Sequence, residues 1–271
     1  MASPKCSEGP TPEAPSSLAA KAQAFVAEGN LTEAERLLGQ LAAQLGKDAE
    51  STRLGVQLGM VQVRLGKLRE AAETLRALPQ HAHARLHLGH ALRFMGELDE
   101  AAAQYRSALS AAERERDGPL AMASLCGLGE GLLEQRLGKE AAEHFGRALG
   151  ISEWLADERL TVLPLAGLAQ AHALWGNPGK AEALAVRAVQ RAHEPLAVAR
   201  AHLALGAIRQ DSSALDKGLA ALARSPHEPL RVQLLVAKFA LTPTATLRGD
   251  TLALARRYGM QGVQRALQPD A

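Results

Sequence analysis

Three histidines, His83, His87 and His90, are the side chains in this sequence best placed for chemistry. Their i, i+4, i+7 spacing puts them on one narrow stripe of a helix. Imidazoles in such a stripe suit a metal ion or a charge that titrates near neutrality. One ion could take His83 with His87, or His87 with His90. It could not take all three, because His83 and His90 stand about 10.5 Å apart along the axis. No Cys or carboxylate lies close in sequence to complete four ligands, so neither a metal nor another cofactor is expected. GNPGKA (176–181) superficially resembles a phosphate loop. It lacks the four-residue gap between glycines, has Ala where a metal-binding Ser or Thr should stand, and follows a helix rather than a strand. There is no Gly-x-Ser-x-Gly elbow to anchor a serine hydrolase. The chain reads as non-enzymatic.

The elements that hold the histidines are short helices. Residues 82–109, AHARLHLGHALRFMGELDEAAAQYRSAL, read as two amphipathic helices joined at Gly96. Leu88, Leu92 and Met95 share one face of the first helix; Ala101, Tyr105 and Ala108 repeat the pattern in the second. Asp99 and Glu100 stand where a helix N-terminus favours acid. Neither helix can bury its apolar face alone, so the pair needs copies of itself on both sides. Those copies are present. Residues 58–75, 88–105, 128–145 and 168–185 align on Gly59/Ala71, Gly89/Ala101, Gly129/Ala141 and Ala169/Ala181, each pair 12 apart. A weaker first copy holds Ala22, Phe25, Gly29, Ala34 and Leu38, and a weaker sixth holds Leu205, Gly206, Gly218 and Leu222. Gly89 and Ala101 are expected to face each other at a close helix crossing.

With a large and then a small residue on helix A, a small residue opening helix B, and an aromatic and Ala beyond, the sequence resembles the tetratricopeptide-repeat family. The third copy matches through Leu88, Gly89, Leu92, Ala101, Tyr105 and Ala108. The fourth matches through Leu128, Gly129, Leu132, Ala141, Phe145 and Ala148. Arg85 departs from the large residue found early in helix A, which is Leu125 and Leu165 in the next two copies. The family period is about 34 residues. Here Gly59 to Gly89 is 30, while Gly89 to Gly129 and Gly129 to Ala169 are 40. The longer period resembles the extended arrays of bacterial sensor and regulator arms. The resemblance implies an all-α, right-handed α-solenoid of about seven helical hairpins with a C-terminal capping helix.

Taken in order, residues 1–15 carry four prolines and no apolar periodicity, and read as a disordered tail. Residues 16–225 form the solenoid, and residues 226–271 a degenerate hairpin and a C-terminal cap. Helix B of the first copy is expected to start at Thr32, and Pro79 to end the second hairpin. The tail lacks the apolar core of a secretory signal, and no apolar run is long enough to span a membrane. Cys6 and Cys126 make no disulfide framework. A cytoplasmic protein is expected. The formal net charge of +2 in 271 residues argues against nucleic acid as the main partner.

The resemblance also implies a concave groove lined by the free face of each helix A. Carried over residue by residue, that face holds Arg53, Gln57, Met60 and Arg64 from the second copy. The third supplies His83, His87, His90, Arg93 and Phe94; the fourth Ala123, Cys126, Glu130 and Glu134; the fifth Gln170. Tyr105, Phe145 and Trp175 read as packing residues, and Trp154 as packing or binding. The function expected is a scaffold that holds a peptide or helix of another protein in this groove. The alternative is a sensory or regulatory arm of a bacterial signalling or transcription pathway. Arg53, Arg64, His83, His87, His90 and Arg93 are expected to form a basic patch for an acidic or phosphorylated segment, binding more tightly at about pH 6 than at about pH 8 as the histidines protonate. A homo-oligomer is left open.

Overall fold

The computed structural model describes residues 15–44, 49–78 and 80–268. The expected tail, except Pro15, and the expected break at Pro79 lie outside the described residues. Among the described residues the secondary structure is helical throughout. α1 (Pro15–Glu28) pairs with α2 (Leu31–Gln44), α3 (Ala49–Arg64) with α4 (Leu68–Arg76), and α5 (Ala82–Met95) with α6 (Leu98–Glu115). α7 (Gly118–Glu134) pairs with α8 (Gly138–Trp154), α9 (Val162–Leu174) with α10 (Pro178–Arg191), and α11 (Pro195–Arg209) with α12 (Ser212–Leu222). α13 (Glu228–Leu241) and α14 (Ala245–Arg257) make a seventh pair, and α15 (Gln261–Leu267) closes the chain. Each hairpin packs on the next. The odd-numbered helices from α3 to α13 also touch one another in sequence, so they form one continuous inner wall.

The turns inside the first six hairpins share one design. Gly29, Gly66, Gly96 and Gly176 take φ of 81°, 78°, 90° and 84°, the left-handed conformation that ends a helix without Cβ strain. Arg136 and Gln210 take the same conformation, with φ of 62° and 53°, and in five of these six turns the next residue bonds back five positions: Lys67 N–H to Gln62 O, Glu97 to Leu92, Leu137 to Leu132, Asn177 to His172 and Asp211 to Gly206. These bonds satisfy carbonyls that the helix end would otherwise leave open. Prolines at the first turn of α7, α10, α11 and α13 fix the opposite ends. Thr32 lies inside α2 rather than capping it: the helix opens at Leu31, and Ala34 N–H bonds Asn30 O.

Aromatic wedges set the spacing of the hairpins. Tyr105 of α6 is fully buried; a Cβ added at Gly89 would stand 2.6 Å from its ring, and one at Gly127 would stand 2.4 Å away. Phe145 of α8 sits the same way between Gly129 and Gly167, at 2.6 and 2.2 Å. Each ring is therefore held between a glycine of its own hairpin and one of the next. This corrects the expected Gly89–Ala101 contact: what fills the space at Gly89 is the Tyr105 ring, one turn along α6. Trp175 is not a packing residue; it is 48% exposed and stacks on His172, while Trp154 is 81% exposed.

The solenoid then curls back on itself. α13 touches α3, and α15 touches α5. Val232, Ala255 and Met260 are buried in the same apolar cluster as Val56, Leu92, Phe94 and Met95. The groove is thus roofed at one end by the chain's own last helices.

A candidate ligand cavity on the inner wall

Between the inner wall and the last helices lies a cavity of about 510 Å³. Four inner helices supply its apolar walls with Phe94, Leu133, Leu163 and Leu203, and Val236 and Val263 face them from the C-terminal end. Gln170 and Gln233 add two amide groups. The size falls within the range of about 300–1,000 Å³ usual for small-ligand sites.

Along one wall runs a chain of four charges. Arg93 is 2% exposed, and its Nη1 donates to Glu134 Oε1. Arg93 Nη2 stands 2.8 Å from Glu130 Oε2, and Arg200 Nη1 donates to the other oxygen of Glu130. The order is Glu134, Arg93, Glu130, Arg200. The Arg93 guanidinium also lies over the Phe94 ring, 4.3 Å from its centre. Burial alone would raise the Glu130 carboxyl, but the charges of Arg200 and Arg93 outweigh it and hold Glu130 down at about 2. For Arg93, burial is likewise outweighed by Glu130 and Glu134, which keep the guanidinium charged. Glu134 is raised, because burial outweighs its single arginine. Arg93 Nε has no hydrogen-bond partner, so the network is not fully satisfied internally.

Five groove residues expected from the sequence meet at this cavity: Arg93, Phe94, Glu130, Glu134 and Gln170. The others lie elsewhere. Gln57 and Met60 border a second hollow of about 240 Å³ with Ala22, Val26 and Leu38. Arg53 is exposed. Arg64 donates from Nε to Pro226 O at 3.2 Å and from Nη2 to Ser225 Oγ at 3.0 Å. His83 is 47% exposed at its side chain and stands 3.9 Å from Asp117. His87 and His90 are partly buried with rings 5.8 Å apart, and His90 Nδ1 shares a hydrogen bond with Tyr105 Oη at 2.8 Å.

The expected basic patch does not form. Arg93 is neutralised by two glutamates, and Arg64 is used as a latch. Burial first, then the neighbouring His83 and His81, hold His87 down at about 4; burial and His87 hold His90 well below the usual histidine range. Neither His87 nor His90 is thereby poised to gain charge near neutrality, so the expected tightening of acidic ligands at lower pH draws no support from these two. Among the described residues no group of three or more His, Cys, Asp or Glu is arranged to hold a metal. Cys126 is buried and its thiol is pushed up by that burial, which makes it a poor nucleophile.

Arg200 was the signal missed on the inner helices. It stands six residues before Gly206, the register that Arg53, His83 and Ala123 occupy before Gly59, Gly89 and Gly129. Residues from α13 and α15 carry no repeat register and reach the cavity only because the solenoid closes.

Residues 82–115, α5 with α6, match the family model described as tetratricopeptide repeat. The chain is an α-solenoid that carries a tetratricopeptide repeat at those residues. Its fold is similar to that of the Rap conjugation gene regulator of plasmid pLS20, solved with the Phr* peptide: TM-score 0.72, 16% identity, covering 93% of this chain and 74% of that one. A Rap protein complexed with competence and sporulation factor aligns at TM-score 0.65 and 12% identity, covering 93% and 79%. The apo form of RapI aligns at TM-score 0.62 and 14% identity, covering 93% and 98%. No curated protein sequence matches. Among the described residues no helix of this repeat solenoid is long and apolar enough to cross a membrane.

Proposed function

We propose that this chain is a non-enzymatic interaction scaffold that holds a short peptide or helical segment of a partner protein in its inner cavity. The observation that carries the reading is the composition of the cavity wall. Leu163, Leu203, Val236 and Val263 offer apolar surface, while Gln170 and Gln233 each offer a donor and an acceptor. That pairing suits a polypeptide, whose side chains bury apolar area and whose backbone needs both kinds of hydrogen bond. The fold likeness to two proteins solved with a bound peptide or factor supports it. The charged chain along Arg93, Glu130, Glu134 and Arg200 is balanced, so it fixes orientation rather than selecting an acidic partner. A second reading, a regulatory arm that reports peptide binding to an effector, draws on the likeness to a conjugation gene regulator across 93% of this chain.

The test is affinity purification of the full chain from its native cytoplasm, with mass spectrometry of what is retained. Gln170→Trp, which fills the cavity, serves as the comparison. A defined polypeptide retained by the native chain and lost with Gln170→Trp supports the reading. Equal retention by both places the site elsewhere, and no retained polypeptide removes the proposal.

A further inference from the structure

In a stack of hairpins the internal turns lie along one rim, and the links between hairpins along the other. The turn rim of this chain has two halves. Over the first three hairpins the C-terminal part of the chain covers it. A Cβ at Gly29 would stand 3.1 Å from Pro226, one at Gly66 2.5 Å from the Tyr258 ring, and one at Gly96 3.4 Å from the Gly262 nitrogen. At the fifth hairpin the rim is open: Gly176 and Gly179 have nothing within 4 Å.

Among the described residues four large apolar side chains are exposed, and three of them stand on the turns of the fourth and fifth hairpins. Leu137, Leu174 and Trp175 are 40, 41 and 48% exposed. The two turns touch, since a Cβ at Gly138 would stand 2.8 Å from Leu174 Cβ and 2.9 Å from the Trp175 nitrogen. The indole is held by its stack on His172, with ring centres 5.5 Å apart and planes 15° from parallel.

Charge follows the same boundary. Residues 135–140 and 173–180 hold Arg136, Lys139 and Lys180 against a single acid, Glu140. All three cations are exposed, and they make no ion pair among the described residues. The neighbouring turns differ. The third carries Glu97, Asp99 and Glu100; the sixth carries Asp211, beside an Arg209 that pairs with Glu182 at 2.8 Å. α8 and α10 open at this rim with no side-chain cap, so their first N–H groups are left for an outside acceptor such as phosphate. Apolar side chains on turn tips, rather than in a groove, suit a flat partner. An indole and leucines flanked by Lys and Arg match the boundary between lipid headgroups and acyl chains.

We propose that the turn rim of the fourth and fifth hairpins docks on a negatively charged bilayer surface. Trp175, Leu174 and Leu137 reach the acyl boundary, while Arg136, Lys139 and Lys180 meet lipid phosphates. This docking needs no ligand in the cavity, so it holds with or without the scaffold reading.

The chain's two tryptophans supply the reporter and its control. Trp154→Phe leaves Trp175 alone. Trp175→Phe leaves Trp154, which lies at the far end of the 17-residue α8, about 25 Å along the axis from Gly138. Each full-length variant is mixed, at about 0.1 M salt, with vesicles of phosphatidylcholine alone or with about one third phosphatidylglycerol. Trp175 emission should move to the blue and be quenched by lipids brominated on the acyl chain, with the anionic vesicles only. Trp154 emission should stay as in buffer. Adding Lys139→Gln and Lys180→Gln to Trp154→Phe should weaken vesicle binding about fivefold for each charge removed. An equal response from the two tryptophans, equal binding to neutral vesicles, or binding unchanged by the lysine substitutions overturns the proposal. Trp175 that ignores both vesicles overturns it too, and shielding of that indole from acrylamide by cell protein would then give the rim to a protein partner.

Discussion

Gly127→Ala and Gly146→Ala are the same substitution in adjacent helices, and the packing gives them opposite signs. A methyl at Gly127 would stand 2.4, 2.6 and 2.7 Å from three atoms of the Tyr105 ring. That ring cannot retreat, because the space behind it is closed by Gly89, whose own added Cβ would be 2.6 Å away. Overpacking a core costs about 1–3 kcal/mol, and a ring held from both sides belongs at the upper end. The Gly-to-Ala gain in helix stability offsets roughly 0.5–1 kcal/mol, leaving Gly127→Ala about 2 kcal/mol less stable than the native chain. At Gly146 the added methyl meets nothing within 4 Å, so only the gain remains. The two variants should differ by about 3 kcal/mol, or roughly 6–12 °C in melting temperature at about 2–4 °C per kcal/mol for a chain of this class. Thermal melts followed by circular dichroism, with Gly131→Ala as a second open position in α7, measure the split. A Gly127→Ala chain as stable as Gly146→Ala would refute the wedge and the repeat register built on it.

Arg93→Met should destabilise the fold by about 3–5 kcal/mol in urea, because Glu130 and Glu134 would be left without their shared cation. Glu130 is held near 2 against an ordinary 4.5, so the stability it contributes is complete above pH 4.5 and drains away as the pH falls toward 2. A Glu130→Gln chain should show a shallower loss of urea midpoint across that window. His87 is lowered to about 4 from 6.5, so it favours the folded state above pH 6.5 and progressively less as the pH falls toward 4. The melting temperature of His87→Gln should accordingly fall less steeply between pH 6.5 and 4 than that of the native chain. Trp154→Ala, at a side chain 81% exposed, should change stability by no more than about 0.5 kcal/mol by the same melts.

The hairpins were legible because local rules make them. Gly66, Gly96 and Gly176 mark left-handed helix ends, and the small residues of each copy mark where an aromatic or Leu side chain fits. Six copies can be counted from those signals; the seventh hairpin and the final helix came from the family resemblance. The partner of Gly89 was misread because a glycine records only that something comes close, and here that is Tyr105 rather than Ala101. The cavity was half legible. Arg93, Phe94, Glu130, Glu134 and Gln170 share the inner face of the repeats, but whether their charges are free depends on neighbours one or two hairpins away. Arg200 lies 70 positions from Glu130, and no local pattern announces that contact. The closure of α13–α15 onto α3 and α5 is less legible still. It depends on the accumulated curvature of the array, to which every hairpin contributes a small rotation.

Site-directed photo-crosslinking tests the central claim, that the inner cavity holds a polypeptide, most directly. A benzophenone amino acid placed at Leu203, on the cavity wall, is compared with the same probe at Trp154, which stands in solvent outside it. Irradiation of cells making each chain should join the probe at 203 to one defined polypeptide and leave the probe at 154 without that product. Crosslinking of the same polypeptide from 154 and not from 203 would contradict the account.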